Sequence, residues 1–285
     1  MNPTLLGLLW YFPAVLLLTA IGFYVFDKEK RFGPKNAIKG VIECRGYLAV
    51  MALVFLAIKA ENILQDMNVW PNDYTHLIYN IEGNGIIVWL QGLTQHPAFL
   101  HPVSIFYVLF FMWLILFSAT FFITTRRKKL VRRLVYSIAL NYAILVPLYL
   151  FFNVSVSCYY PENTAVQPLL YQNDMYHGIV LLVDRLNDNF PSGHISVSVS
   201  ITLLLFLKTK MRDFAWFALM TTIATGFVIL YLGIHWITDI AFGVLLGYWA
   251  YWAGGYPPIA KRLDKMVVWF EDKIPAPDID FDSEK

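Results

Sequence analysis

Residues 103–133 read VSIFYVLFFMWLILFSATFFITTRRKKLVRR. The first 22 of these residues carry no charge, whereas six of the last eight are Arg or Lys. An uncharged apolar stretch of this length can cross the hydrocarbon core of a bilayer as a helix, which takes about 20 residues. A basic cluster directly after such a stretch marks its cytoplasmic end. The segment therefore predicts a transmembrane helix and its direction.

The composition of the whole chain agrees with this prediction. Of its 285 residues, 58% are apolar and only 15% are charged. Soluble domains average about 45–50% apolar and about 25% charged residues, and disordered chains are less apolar still. The composition therefore excludes an ordinary soluble domain and a disordered chain. The apolar segments are continuous rather than alternating, which argues against a β-barrel.

Seven apolar segments predict an all-α, polytopic transmembrane bundle of about seven spans. They cover residues 3–26, 41–60, 103–124, 134–153, 193–208, 214–233 and 236–254. With these spans, 20 of the 22 Lys and Arg residues fall on one side, and only Lys59 and Arg185 fall on the other. The positive-inside rule then places the N-terminus outside and the C-terminus in the cytoplasm. We expect a multi-pass protein of the cell membrane.

The same reading divides the chain into four regions. They are two N-terminal transmembrane helices (1–60), an outer loop with an interfacial helix at Ile86–Leu93 (61–102), a transmembrane core (103–254) and a cytoplasmic tail (255–285). Within the core, residues 154–192 are polar and predict an ordered loop on the outer side. The candidate catalytic residues lie in the core, at its outer end.

His235 and Asp239 form the first candidate pair. In a helix, residues four apart lie on the same face, so the Asp239 carboxylate can hold one nitrogen of His235 and leave the other free to attack an electrophile. The positive end of the helix dipole would keep His235 neutral. The alternative is a buried pair that only satisfies its own hydrogen bonds.

The string Pro191-Ser192-Gly193-His194 is the second candidate. Ser192 fits the N-cap position of a helix, and Gly193 permits close approach of another group to the backbone. The free N–H groups of a helix N-terminus bind phosphate, and His194 could protonate a leaving oxygen beside it. The alternative is an ordinary helix cap with a solvated histidine.

Together, NFPSGH (189–194) and YLGIHWITD (231–239) resemble the motifs of the type 2 phosphatidic acid phosphatase superfamily. Members of that superfamily are membrane helical bundles that cleave lipid phosphates or pyrophosphates without a metal cofactor. The resemblance implies that His235 is the nucleophile that becomes phosphohistidine, with Asp239 orienting it and His194 as general acid. It also implies that Ser192 and Gly193 bind phosphate.

Two departures from the family pattern concern the cations. The family usually has a Ser-Arg pair where this chain has Val228 and Ile229, and no K-x6-R-P string occurs here. A phosphoryl transition state still needs donors for its negative charge. Arg185 and Lys59, the outer-side basic residues, are therefore the predicted substitutes. The alternatives are a salt bridge from Arg185 to Asp184 or Asp188, and a Lys59 side chain that only reaches the lipid headgroups.

In lacking the Ser-Arg pair, the chain is also similar to the inositolphosphotransferase branch, which includes inositol phosphorylceramide synthases. That similarity implies an alcohol acceptor in place of water. The expected partners are a lipid phosphate or pyrophosphate in the bilayer and this alcohol, with no nucleic acid and no metal or other cofactor. A seven-helix transporter or receptor is the non-enzyme alternative.

Overall fold

The computed structural model describes residues 3–93, 96–181 and 185–277. Within these ranges the protein is all-α, as predicted, and its twelve α-helices are joined by loops that contain two isolated β-bridges but no strand. The first six helices are α1 (Pro3–Phe26), α2 (Pro34–Glu43), α3 (Arg45–Asp66), α4 (Thr75–Glu82), α5 (Gly85–Leu93) and α6 (Pro97–Thr124). The others are α7 (Lys128–Phe151), α8 (Asp174–Val180), α9 (Gly193–Lys208), α10 (Arg212–Tyr231), α11 (Ile237–Ala253) and α12 (Pro257–Lys273).

Each of the seven predicted spans corresponds to one helix of at least 16 residues. Five helices of the described chain (α1, α3, α6, α7 and α10) are long and apolar enough to cross a membrane. The remaining two are shorter, with 16 residues in α9 and 17 in α11. The total of seven spans and their orientation therefore stay predictions.

The basic segments of the sequence meet at one end of the bundle. Ion pairs join them there, namely Lys28–Asp213, Arg126–Glu43, Arg127–Glu29, Lys128–Glu271 and Arg132–Asp264. Folding thus gathers on one face the positive charge that the sequence spreads over several loops.

The region predicted as a cytoplasmic tail contains helix α12, which packs against α3. The Arg132 guanidinium donates two hydrogen bonds of 2.7 Å to the Asp264 carboxylate. This contact holds the pKa of the Asp264 carboxyl below its usual value. Helix α12 is amphipathic and too charged to resemble a membrane span, which is why the hydropathy pattern missed it. The last eight residues, 278–285, lie outside the described chain.

Helices α9 and α11 pack closely because glycines on α11 leave room for the backbone of α9. A Cβ atom at Gly247 would lie 2.3 Å from the Ser196 carbonyl oxygen, and one at Gly243 would lie 2.9 Å from the Ser192 carbonyl oxygen. The Ser200 hydroxyl donates a 2.8 Å hydrogen bond to the Gly247 carbonyl. Small residues allow such close approach between membrane helices. This packing fixes the distance between the two candidate motifs, which lie at the starts of α9 and α11.

Candidate active site

His235 and Asp239 meet as predicted, but through a helix cap rather than along a helix face. Helix α11 begins at Ile237, so His235 lies before the helix and Trp236 is its N-cap. Asp239 Oδ2 accepts a 2.9 Å hydrogen bond from the Trp236 backbone N–H and lies 3.1 Å from His235 Nδ1. Both side chains are buried. Because a carboxylate only accepts, Nδ1 carries the proton and Nε2 keeps its lone pair.

Glu82, at the end of α4, occupies the N-terminus of α11 and was not predicted from the sequence. Its carboxylate accepts hydrogen bonds from the backbone N–H groups of Ile237 (2.7 Å) and Thr238 (2.6 Å). Its negative charge offsets the helix dipole there. The dipole therefore does not act alone on His235, contrary to the expectation from the sequence. No local signal could have found Glu82, because it lies 155 residues before Ile237 in the chain.

Ser192 is the N-cap of α9, as predicted, and it also faces His235. Its hydroxyl accepts from the Ile195 N–H at 3.4 Å and lies 3.3 Å from His235 Nε2. Its backbone N–H donates to the Asp239 carbonyl at 3.0 Å. The starts of α9 and α11 are thus tied directly together, and Nε2 points toward the predicted phosphate-binding residue.

Tyr149 is a second residue that sequence reasoning missed. Its hydroxyl accepts a 3.1 Å hydrogen bond from the Gly193 N–H and donates one of 3.0 Å to the Pro191 carbonyl. A Cβ atom at Gly193 would lie 3.0 Å from this hydroxyl, so the glycine permits the contact. The Gly193 N–H therefore already has an acceptor, and a phosphate at the start of α9 would bind this N–H only by replacing the Tyr149 hydroxyl.

His194 lies beside His235, with the two ring centres 5.6 Å apart and the rings inclined at 74°. Its other neighbours are aromatic, and the Phe111 ring centre is 4.3 Å away. His194 is half-buried, whereas His235 is fully buried. His194 therefore occupies the more accessible position, where a departing group could leave.

A cavity of about 450 Å³ reaches His194 from the bundle, and we call it the chamber. It is lined by residues of α1, α3, α6, α7 and α8, together with Gly193 and His194. Lys59, one of the two predicted phosphate cations, belongs to this lining, as do Glu61 and Asp188. The structure thus places Lys59 on the same cavity as the predicted general acid.

Arg185, the other predicted cation, forms a bidentate ion pair with Asp66 at the end of α3. The predicted alternatives were Asp184 and Asp188. Asp184 lies outside the described residues, and Asp188 accepts a 2.6 Å hydrogen bond from Gln65. The structure gives Arg185 a carboxylate partner and leaves its role toward phosphate a prediction.

Replacing Glu82 by alanine is expected to lower kcat roughly tenfold, with little change in KM, because the lost helix-capping contacts are worth about 1–2 kcal/mol and hold the start of α11 next to His235, the predicted nucleophile. Glu82→Gln keeps one acceptor oxygen and should recover part of the rate. The measurement is steady-state phosphate release, with Glu162→Ala as a control on an exposed acidic residue of the predicted outer side. A wild-type kcat in Glu82→Ala would contradict the positioning role.

The arrangement can support nucleophilic substitution at phosphorus, since it combines an oriented imidazole, a second imidazole and a helix N-terminus. Among the described residues, no group of three or more His, Cys, Asp or Glu side chains could hold a metal ion. Residues 130–256 match the family profile described as the PAP2 superfamily. No curated protein and no solved structure matches the chain. The matched segment contains both histidines, Ser192 and Asp239.

Proposed function

Because residues 130–256 place this chain in the PAP2 superfamily, we propose that it is a metal-independent lipid phosphate phosphatase or phosphotransferase. Members of this superfamily are phosphatases or phosphotransferases. The observation that carries the proposal is the orientation of His235, whose Nδ1 lies 3.1 Å from Asp239 while Nε2 faces Ser192 at 3.3 Å. This geometry supports Nε2 as the atom that attacks phosphorus.

In the first step, His235 Nε2 forms a bond to phosphorus as the bond from phosphorus to the leaving oxygen breaks. His194 gives its proton to that oxygen. The Asp239 carboxylate stabilises the positive charge that develops on the His235 ring. The products are the free alcohol, or the shorter phosphate if the substrate is a pyrophosphate, and a phosphohistidine at residue 235.

In the second step, an acceptor hydroxyl attacks the phosphohistidine and the nitrogen–phosphorus bond breaks. His194, now neutral, removes the proton of the acceptor and is restored for the next cycle. With water the product is inorganic phosphate, and with an alcohol it is a new phosphate ester. Because the Ser-Arg pair is missing, transfer to an alcohol is the alternative function.

The Ser192 hydroxyl, the Gly193 N–H and the Lys59 ammonium group are proposed to hold the phosphate oxygens. Lys59 comes before Arg185 in this assignment because Lys59 lines the cavity at His194 and Arg185 does not belong to that lining. A cation beside the phosphate stabilises the charge that spreads over its oxygens in the transition state. Lys59 belongs to α3, outside the segment that matches the family.

Replacing Lys59 by alanine is expected to reduce kcat/KM for a lipid phosphate by roughly 10²-fold, the usual loss when one transition-state donor is removed. Arg185→Ala should cost less, and Lys59→Arg should retain part of the activity. The measurement is phosphate release in detergent. A wild-type rate in Lys59→Ala with a large loss in Arg185→Ala would assign the phosphate to Arg185 instead.

The site is proposed to face the extracytoplasmic side, because the basic ion-pair network lies at the opposite end of the bundle.

One experiment tests both the type of reaction and the side of the membrane on which the site lies. Intact cells that express the protein receive a short-chain lipid phosphate and a chelator outside, and the labelled phosphoryl group is followed with and without inositol. Release of external phosphate supports hydrolysis, and a labelled inositol ester supports transfer. If lysed cells show neither product, the transporter or receptor alternative stands; if turnover appears only after lysis, the orientation is reversed.

A further inference from the structure

Helices α4 and α5 form a short unit, residues 75–93, that lies between α3 and α6 in the chain and outside the family-matching segment. Helices α3 and α6 are long and apolar enough to cross a membrane, whereas α4 and α5 have only 8 and 9 residues. The ion pair of Arg126 with Glu43 lies at the other ends of α6 and α3. The α4–α5 unit is therefore located where these two helices would leave the bilayer on the predicted outer side.

Two polar side chains of the α4–α5 unit hold the chain on both sides of His235. The buried Gln91 amide donates to the carbonyl groups of Gln167 (2.9 Å) and Tyr231 (3.0 Å), and it accepts from the Gln167 N–H at 2.8 Å. Tyr231 ends α10, four residues before His235. Glu82 binds the first N–H groups of α11, just after His235. The unit therefore fixes both ends of the loop that carries the predicted nucleophile.

The apolar inner side of the α4–α5 unit packs on the residue that follows His235. Ile78 and Ile87 are buried in one cluster with Trp236. The ring centre of Tyr79 lies 6.0 Å from that of Trp236, in an edge-to-face arrangement. The position of the loop that carries His235 therefore depends on the position of this unit.

The outer side of α5 is apolar and exposed. Ile86, Trp89 and Leu93 are 54%, 62% and 57% exposed, and their spacing places them on one face of the helix. Residues 75–93 contain no Lys, Arg or Asp, and their one acidic residue, Glu82, binds α11. Such a face is unfavourable in water, and Trp is enriched where membrane proteins meet the lipid headgroups.

The exposed side of α4 is part apolar and part polar. Leu77 and Ile81 are its exposed apolar residues, whereas His76 and Asn80 are exposed and polar. A helix that lies in the membrane interface has this pattern, with polar groups in water and apolar groups among the upper parts of the lipid chains. Because residues 75–93 contain no basic side chain, they have no group that would select anionic headgroups.

We propose that the exposed apolar side of the α4–α5 unit binds the interfacial layer of the bilayer, and that this contact holds the loop of His235 in its active position. The inference rests on the proposed function and assigns to the membrane surface a regulatory role at the same site. The partner is the apolar layer beneath the headgroups. When the unit leaves this layer, the contacts of Glu82 and Gln91 weaken and kcat falls.

The first test moves α5 out of the bilayer without changing its inner side. The full-length protein is reconstituted in phosphatidylcholine vesicles and assayed with a water-soluble, short-chain lipid phosphate. Trp89→Glu should lower kcat roughly tenfold, the effect of losing about one buried hydrogen bond. Asn80→Glu places the same charge on the polar side of α4 and should keep the wild-type kcat. No described residue of the unit lines the chamber, so KM should change little.

A wild-type kcat in Trp89→Glu would overturn the proposal, because a face in water tolerates this charge. Equal losses in Trp89→Glu and Asn80→Glu would overturn it as well, since the two sides of the unit would then not differ. Trp89→Ser is the milder second variant and should lower kcat in the same direction. If Trp89→Glu shows no turnover, Trp89→Ser decides, and a wild-type kcat there contradicts the proposal.

The second test measures the membrane contact without turnover. The fluorescence of Trp89 is obtained as the difference between wild type and Trp89→Phe, which retains an apolar ring and should keep the wild-type kcat. Lipids with brominated chains should quench this fluorescence, and iodide in the water should not. Quenching by iodide alone would overturn the proposal. Failure of the proposed function has a different signature, since the wild-type protein would then turn over no lipid phosphate while brominated lipids still quench Trp89.

Discussion

Replacing His235 by alanine is expected to abolish release of phosphate from lipid phosphates, with chelator present throughout. The reason is that, in the proposed mechanism, His235 Nε2 supplies the electron pair for the new bond to phosphorus. Removal of a nucleophile from a covalent mechanism leaves only the rate due to binding and electrostatic stabilisation. The measurement is phosphate release over a period long enough to detect about 10⁻⁴ of the wild-type rate.

The loss should be the same for alkyl and aryl phosphates, because both require the first covalent step. His76→Ala is the matched control, since His76 is an exposed histidine on the side predicted to be the outer one. Labelled phosphate should be trapped on the wild-type protein as an acid-labile adduct and should be absent from His235→Ala. Undiminished turnover in His235→Ala would rule out the phosphohistidine mechanism.

Replacing His194 by alanine is expected to lower the rate with an alkyl phosphate by roughly 10²–10⁴-fold, the range for loss of a general acid. The effect should depend on the leaving group. An alkoxide is a poor leaving group and needs the proton from His194, whereas a nitrophenolate leaves without one. The measurement compares an alkyl phosphate with a nitrophenyl phosphate in wild type and variant, and we expect a much smaller loss with the aryl substrate.

This comparison separates the two histidines by role. An equal loss with both substrates in His194→Ala would mean that His194 acts by packing or by binding the phosphate rather than by giving a proton. A packing role would agree with the structure, because the His194 ring packs against Phe111 with ring centres 4.3 Å apart. His194→Asn retains a polar side chain of similar reach, and it should not recover the alkyl rate if proton donation is the role.

Much of the fold could be predicted from the sequence, because membrane insertion depends on local composition. The predicted segments 3–26 and 193–208 have the same bounds as α1 and α9. The segment Ile86–Leu93 is helical, as predicted, and belongs to α5, whereas its place at the membrane interface stays a prediction. Helix α12 was missed because its periodic pattern contains many charged residues, and its position depends on the contact between Arg132 and Asp264.

The candidate site likewise contains residues that could be predicted from the sequence and residues that could not. His235 and Asp239 could be paired from the sequence because they are four residues apart, although the contact arises at the helix cap. Ser192 could be identified as an N-cap because that role depends on its immediate neighbours. Tyr149 and Glu82 carried no local signal, since each acts on a backbone group far away in the sequence.

By itself, the sequence determined that this is an apolar helical chain, which residues form its long helices and which two motifs carry the candidate chemistry. These properties depend on side chains within one or two helical turns of each other. Only the tertiary structure decided that Glu82 caps α11, that Arg185 pairs with Asp66 and that Lys59 lines the cavity at His194. The physical reason is that such contacts depend on how the helices pack, which is fixed by close approaches such as that of Gly247 to Ser196.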